Sequence, residues 1–152
     1  SYPDMVLLAG GTPVIVPGTI ETGFRITPEA LEAAITPRTK WLIFNSPSNP
    51  TGAMYTREEL AALADICVRK NIAVISDEIY ARTAFTDVPF VSFGSYYPEG
   101  TIVMGGLSKD LSLGGWRMGV AVTPPTNAGR ALAKALSNLA TNVWSCVAAP
   151  VQ

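Results

Sequence analysis

Apolar positions fall along this chain in two patterns. Short, nearly unbroken runs stand at "PVIVP" (13–17), "WLIFN" (41–45), "IAVIS" (72–76), "TIVMGG" (101–106) and "WRMGVAV" (116–122). Their length, β-branched content and flanking turn residues predict strands, and the fully apolar ones predict strands buried on both faces. Helical spacing separates them. "TPEALEAAI" (27–35) predicts a helix with Thr27 as N-cap, Pro28 in its first position and Glu29 in its first turn. "TREELAALADICVRKN" (56–71) carries a Thr56–Glu59 capping box, puts Leu60, Leu63, Ala64 and Cys67 on one face, and ends on Arg69 and Lys70. "NAGRALAKALSNLA" (127–140) predicts a third helix. Strands alternating with helices predict an α/β domain with a mostly parallel sheet. No repeat, low-complexity tract or internal linker interrupts it.

Composition narrows what such a domain could do. The chain has 152 residues, suited to one domain, of which 48% are apolar and 15% charged. A net charge of −1 with no basic run gives nucleic-acid binding no electrostatic support. The apolar runs are too short to cross a bilayer, and Ser1-Tyr2-Pro3-Asp4 lacks the basic and apolar regions of a secretion signal. Cys67 and Cys146 show neither metal nor disulfide spacing and read as reduced thiols of a cytoplasmic protein. The sequence contains no histidine, so Ser-His and Cys-His catalysis are excluded and the commonest metal ligand is missing. No metal site is predicted. Chemistry must come from Lys, Asp, Glu, Tyr, Ser or a cofactor.

Ligands of open α/β sheets bind beyond the carboxyl ends of the strands. Three of the predicted strands run into polar clusters there: Asn45 to Asn49, Asp77 to Tyr80, and Ser108-Lys109. Each cluster alone has a plain structural reading. Asp77 suits a solvated strand end, "SPSNPTG" (46–52) suits a turn, and Arg117 beside Trp116 suits a stacked surface arginine. Taken together they describe one kind of site. Lys109 in a glycine-rich, apolar setting is expected to be poorly solvated, which favours the neutral amine that attacks a carbonyl or carries a proton. Ser108 and Arg117 offer a hydroxyl and a cationic fork for a phosphate, and Asp77 a carboxylate for a protonated ring nitrogen. Aldehyde, phosphate and pyridine nitrogen in one ligand describe pyridoxal phosphate.

The motifs "NSPSNPTG" (45–52), "SDEIY" (76–80), "SK" (108–109) and "GWRMG" (115–119) stand in an order and spacing that resemble the class I/II aminotransferases. These are pyridoxal-phosphate enzymes of fold type I, the aspartate aminotransferase superfamily, and the likeness runs through all 152 residues, including "SYPDMVLLAGG" at the start. The resemblance implies a three-layer α/β/α domain. It implies that Lys109 forms the cofactor Schiff base and shuttles the proton, and that Asp77 keeps the pyridine nitrogen protonated. It further implies that Tyr80 and Asn49 contact the phenolic oxygen, that Ser108 and Arg117 grip the phosphate, and that the peptide bonds before Pro47 and Pro50 are cis.

Departures from the family accompany this likeness. Gly106 stands where some members have a serine that touches phosphate, and "DLSLGGW" (110–116) varies the wall. The implied arrangement makes residues 1–152 the central part of the cofactor-binding large domain, with an N-terminal segment and the C-terminal small domain absent. The implied activity is transamination between an amino acid and a 2-oxo acid by a homodimeric enzyme. Lyases, decarboxylases and cyclopropane-forming synthases share these groups, as do non-catalytic aminotransferase-like regulatory modules, and the 152 residues do not separate them.

Overall fold

The computed structural model describes residues 1–143, so Cys146 lies outside the described residues. Five helices are present: α1 (Tyr2–Leu8), α2 (Pro28–Ala34), α3 (Arg57–Lys70), α4 (Leu107–Asp110) and α5 (Asn127–Asn142). Four strands, β1 (Trp41–Asn45), β2 (Ala73–Asp77), β3 (Thr101–Gly106) and β4 (Gly119–Val122), form one sheet in sequence order. β1–β2 and β2–β3 are parallel and β3–β4 is antiparallel, which gives the mostly parallel sheet expected of the α/β class.

Local chemistry explains the helix starts. Thr27 accepts from the Ala30 amide at 3.2 Å, with proline in the first turn of α2. Both halves of the capping box at α3 are formed: Thr56 Oγ1 accepts from the Glu59 amide at 3.2 Å, and Glu59 Oε2 accepts from the Thr56 amide at 2.8 Å. At its far end Asn71 takes φ 53°, a left-handed conformation that asparagine tolerates, and turns the chain straight into β2. α5 begins on Thr126, whose hydroxyl accepts from the Gly129 amide, and runs two residues beyond its predicted end.

The core lies on one face of the sheet. Side chains alternate across a strand, and the β1–β2 register aligns Leu42 with Val74 and Phe44 with Ser76. α3 brings Leu60, Leu63, Ala64 and Cys67 to that face, joined by Leu31 of α2, Tyr55 and Phe93. Phe44 packs between two tilted rings, 4.8 Å from Tyr55 and 5.1 Å from Phe93. The Tyr55 hydroxyl accepts from the Ile26 amide, so its polar end is satisfied. Burial pushes the Cys67 thiol up to about 11, which leaves it a packing residue.

Three expectations need correction. Residues 13–17 form no strand: they are extended and unpaired, with Val14 and Ile15 largely exposed. A strand exists only with a partner, and the prolines at both ends of this segment remove two amide donors. The segment 116–122 begins later than predicted, because Gly114–Trp116 forms a 3₁₀ turn and Arg117 adopts a left-handed conformation at φ 52°. The central strands are not buried on both faces either. Opposite the core, Ile43 and Ile75 are half-buried, and Trp41 and Met104 are exposed. The helix α1 was not predicted; its seven residues bury no side chain fully, so no core stripe announced it.

Candidate active site

The sheet brings the three polar clusters to one edge. β1, β2 and β3 are parallel, so Asn45, Asp77 and Gly106 all end at the carboxyl side. Two hydrogen bonds from the first cluster seal it to the second: the Asn45 side-chain amide and the Ser46 backbone amide both donate to the Asp77 carbonyl, at 3.0 and 3.2 Å. Asn45 Oδ1 in turn accepts from the Asn49 amide at 3.0 Å, which folds the 46–49 loop back over the strand ends. The peptide bonds before Pro47 and Pro50 are both cis, as the resemblance implied. The Glu78 amide donates to the Met104 carbonyl at 2.9 Å and ties β2 to β3 just before α4 begins.

Within this frame Asn49, Tyr80 and Lys109 meet. The Asn49 Nδ2 donates to the Tyr80 hydroxyl at 3.3 Å, and the Lys109 Nζ lies 5.8 Å from the centre of the Tyr80 ring. Asp77 stands one turn away and is held from two sides. Its Oδ1 accepts from the Ile79 amide at 3.2 Å and its Oδ2 accepts from the Tyr2 hydroxyl at 2.5 Å. Beside Asn49 and Tyr80 opens a cavity of about 410 Å³, bounded by Pro47, Pro50, Met54 and Phe85.

Ser108 and Arg117 flank the turn between β3 and β4. Gly106 pairs with Gly119, so the two residues stand two positions beyond that pair on opposite arms. The Leu107 amide donates to the Met118 carbonyl and the Leu113 amide to the Leu107 carbonyl, closing the loop. Arg117 is exposed and donates from Nη1 to the Gly114 carbonyl at 2.7 Å, which leaves the rest of its fork free to bond elsewhere.

Lys109 itself corrects an expectation. It is exposed rather than poorly solvated, because the glycines around it bring no side chains to cover it. A β-carbon placed on Gly105, Gly114 or Gly115 would meet nothing within 4 Å. The same glycines leave open space next to the amine. Gly106 is different: a β-carbon there would lie 2.9 Å from the Met118 carbonyl oxygen and 3.4 Å from the Gly119 Cα. A side chain at this position cannot be accommodated without moving backbone. Gly106→Ser in the full-length protein should therefore cost about 1–3 kcal/mol, read by denaturant unfolding.

Two residues of the site carry no signal of their own in the sequence. Tyr2 reaches Asp77 across 75 positions, a contact that no local spacing encodes. Glu78 lies in a motif, yet points to the other face of β2, where it is 9% exposed and accepts from the Ser76 and Ser92 hydroxyls and the Phe93 amide. Strand alternation alone would have separated it from Asp77.

The chain resembles known proteins in sequence and in fold. Over 128 residues the chain is 55% identical to an aspartate/prephenate aminotransferase of Cereibacter sphaeroides, covering 82% of this chain and 32% of that protein. It is 46% identical over 148 residues to an aspartate aminotransferase of Geobacillus stearothermophilus, covering 95% and 36%. The fold superposes on aspartate aminotransferase from Thermus thermophilus with maleate at a TM-score of 0.88 and 40% identity, over 97% of this chain and 37% of that one. An aromatic aminotransferase from Pyrococcus horikoshii gives 0.84 at 36% identity, over 93% and 37%. The chain thus spans about a third of the length of the curated relatives it matches. The family model for class I and II aminotransferases matches residues 1–152, and with that match lying over a sheet edge that gathers the family's motifs, the chain belongs to the class I and II aminotransferases.

Proposed function

We propose that this chain is the cofactor-holding part of a pyridoxal-phosphate-dependent aminotransferase that moves an amino group between an amino acid and a 2-oxo acid. The observation that carries the reading is the convergence of Asn49, Tyr80 and Lys109 at the strand ends that also bear Asp77. The donor set fits the cofactor group by group. An amine faces open space, a carboxylate suits a pyridinium, two neutral polar groups suit a phenolic oxygen, and a hydroxyl with a guanidinium suits a phosphate. When bound, pyridoxal phosphate supplies an aldehyde that condenses with amines and a ring that draws electrons from the substrate Cα.

The residues then divide the work. Lys109 would hold the cofactor covalently and, once released by the incoming amino group, take the proton from the substrate Cα and return it on the other side of the reaction. Asp77 would keep a proton on the ring nitrogen, since a carboxylate beside a pyridinium favours its charged form. Tyr80, oriented by Asn49, would hydrogen-bond the phenolic oxygen. Ser108 and Arg117 would fix the phosphate, so that the ring stays at one tilt while the amine moves.

The similarity to full-length enzymes about three times as long supports placing residues 1–152 in the central part of the large domain, with the small domain supplied by further polypeptide. Apolar side chains left exposed on α1 (Met5, Leu7, Leu8), on α5 (Leu139) and at its C-cap (Val143) support a surface completed by other chain segments and by a second subunit of a homodimer. No described helix is long and apolar enough to cross a membrane, and a cytoplasmic enzyme is the reading that the free Cys67 thiol supports. The names of the relatives favour aspartate among the amino-acid substrates.

Borohydride reduction of the full-length protein loaded with pyridoxal phosphate tests this reading. After digestion, mass spectrometry should place one equivalent of the reduced adduct on Lys109. Adduct spread over Lys40, Lys70 and Lys134, or none, would remove the basis of the proposal.

A further inference from the structure

Tyr2 makes the one side-chain hydrogen bond to the Asp77 carboxylate among the described residues, and nothing in the four motifs calls for it. Its hydroxyl lies 2.5 Å from Oδ2 of the carboxylate, in the range of a charge-assisted O–H···O⁻ bond. The phenol is half-buried at the start of α1, where Pro3 follows it in the first turn and fixes the direction from which it arrives. Burial first, then the bond to Asp77, raise its ionisation well above the ordinary tyrosine range. The bond runs from the Tyr2 hydroxyl to the Asp77 carboxylate.

The carboxylate is not used up by this. An ionised carboxylate offers about four lone-pair positions, and Tyr2 and the Ile79 amide occupy one each, on different oxygens. Two donors on two oxygens fix the plane of the group, while positions remain for a ring N–H. Without Tyr2, Oδ2 has no hydrogen-bond partner among the described residues, and the Ile79 amide alone restrains rotation about the Cβ–Cγ bond.

We propose that Tyr2 is a positioning residue that locks the Asp77 carboxylate in the orientation which receives the cofactor's ring nitrogen. The assignment rests on the proposed function. Tyr80 also lies near the phenol, and among the described residues no lysine or arginine forms an ion pair with Asp77 that would hold it in place. That leaves the Tyr2 bond as the side-chain restraint on its orientation.

The test is a double-mutant cycle on cofactor affinity in the full-length protein, freed of cofactor and titrated with pyridoxal phosphate while visible absorption is followed. Tyr2→Phe keeps the ring and its packing and removes only the donor. It should raise the dissociation constant about tenfold with Asp77 present. In an Asp77→Ala background the same change should do almost nothing, because the acceptor through which Tyr2 acts is gone. Equal weakening in both backgrounds would mean that Tyr2 acts through the fold or on the cofactor directly, and no weakening in either would mean that the bond positions nothing; both overturn the assignment. If the unsubstituted protein takes up no pyridoxal phosphate, the proposed function itself fails and Tyr2 loses its role with it. Normal uptake with an unaffected Tyr2→Phe variant sinks only the positioning claim.

Discussion

Lys109→Ala in the full-length protein should abolish amino-group transfer, with a loss of about 10⁴-fold or more in kcat. Two roles fall on the one amine. Under the proposed function it would hold the cofactor in place between turnovers, and it would carry the substrate proton, with the glycine-rich surroundings leaving it free space in which to move. No neighbour can replace it. Tyr80, whose ring lies 5.8 Å from Nζ, is a phenol engaged by Asn49. The folded state should tolerate the change. Lys109 is exposed, and α4 is anchored through the backbone of Leu107, whose amide donates to the Met118 carbonyl and whose carbonyl accepts from the Leu113 amide, rather than through the lysine. A variant that keeps its melting temperature, binds pyridoxal phosphate only non-covalently and turns over no amino acid would match the proposal. Retention of even a tenth of the wild-type rate would sink the assignment of Lys109.

Glu78→Ala should produce the largest loss of stability of any polar substitution near the site, about 2–4 kcal/mol by denaturant unfolding of the full-length protein. One oxygen of this buried carboxylate accepts three donors: the Ser76 and Ser92 hydroxyls at 2.8 Å each and the Phe93 amide at 3.0 Å. Together they tie the end of β2 to the 3₁₀ turn Phe93–Ser95, and Phe93 is a wall of the aromatic core. Alanine would leave a buried amide without a partner and free the turn. Glu78→Gln keeps a carbonyl oxygen in the same place and should cost far less.

The pH dependence separates the two variants further. Burial raises the Glu78 carboxyl above its ordinary value, outweighing the three donors that pull it down, and Asp77 raises it slightly more. Between the unfolded and folded values the folded state binds more protons than the unfolded one. Stability from this group therefore falls as pH rises through that window, which begins near the ordinary carboxylate value, and is level above the raised one. Glu78→Gln should flatten that limb in a stability series run between about pH 4 and 7, whereas a limb unchanged by the substitution would assign the titration to another group.

The reading of the helices from sequence depended on signals that act over three or four residues. Thr27 and Thr56 cap where they were expected to, because a capping bond closes within one turn and needs no other part of the molecule. The motifs at 45–52, 76–80 and 108–109 were legible for a related reason: a parallel sheet puts every strand's end at the same edge. The strand expected at 13–17 failed because apolar content predicts willingness to pair, while the partner is a matter of the rest of the chain. The solvation of Lys109 was misread for a different reason. Glycine and apolar neighbours in sequence are not cover in space, and glycines leave room where larger residues would close it.

By itself the sequence determined the capped helices, the order of the central strands and which polar clusters terminate them, since hydrogen bonds and side-chain alternation within a segment are local properties. The tertiary structure decided which oxygen of Asp77 meets Tyr2 across 75 residues, that the inward Glu78 meets Ser92 and Phe93, and that Lys109 stands in the open above Tyr80. Those outcomes follow from strand register and from the angle at which each helix and loop arrives, and both are set by the packing of the core around Phe44.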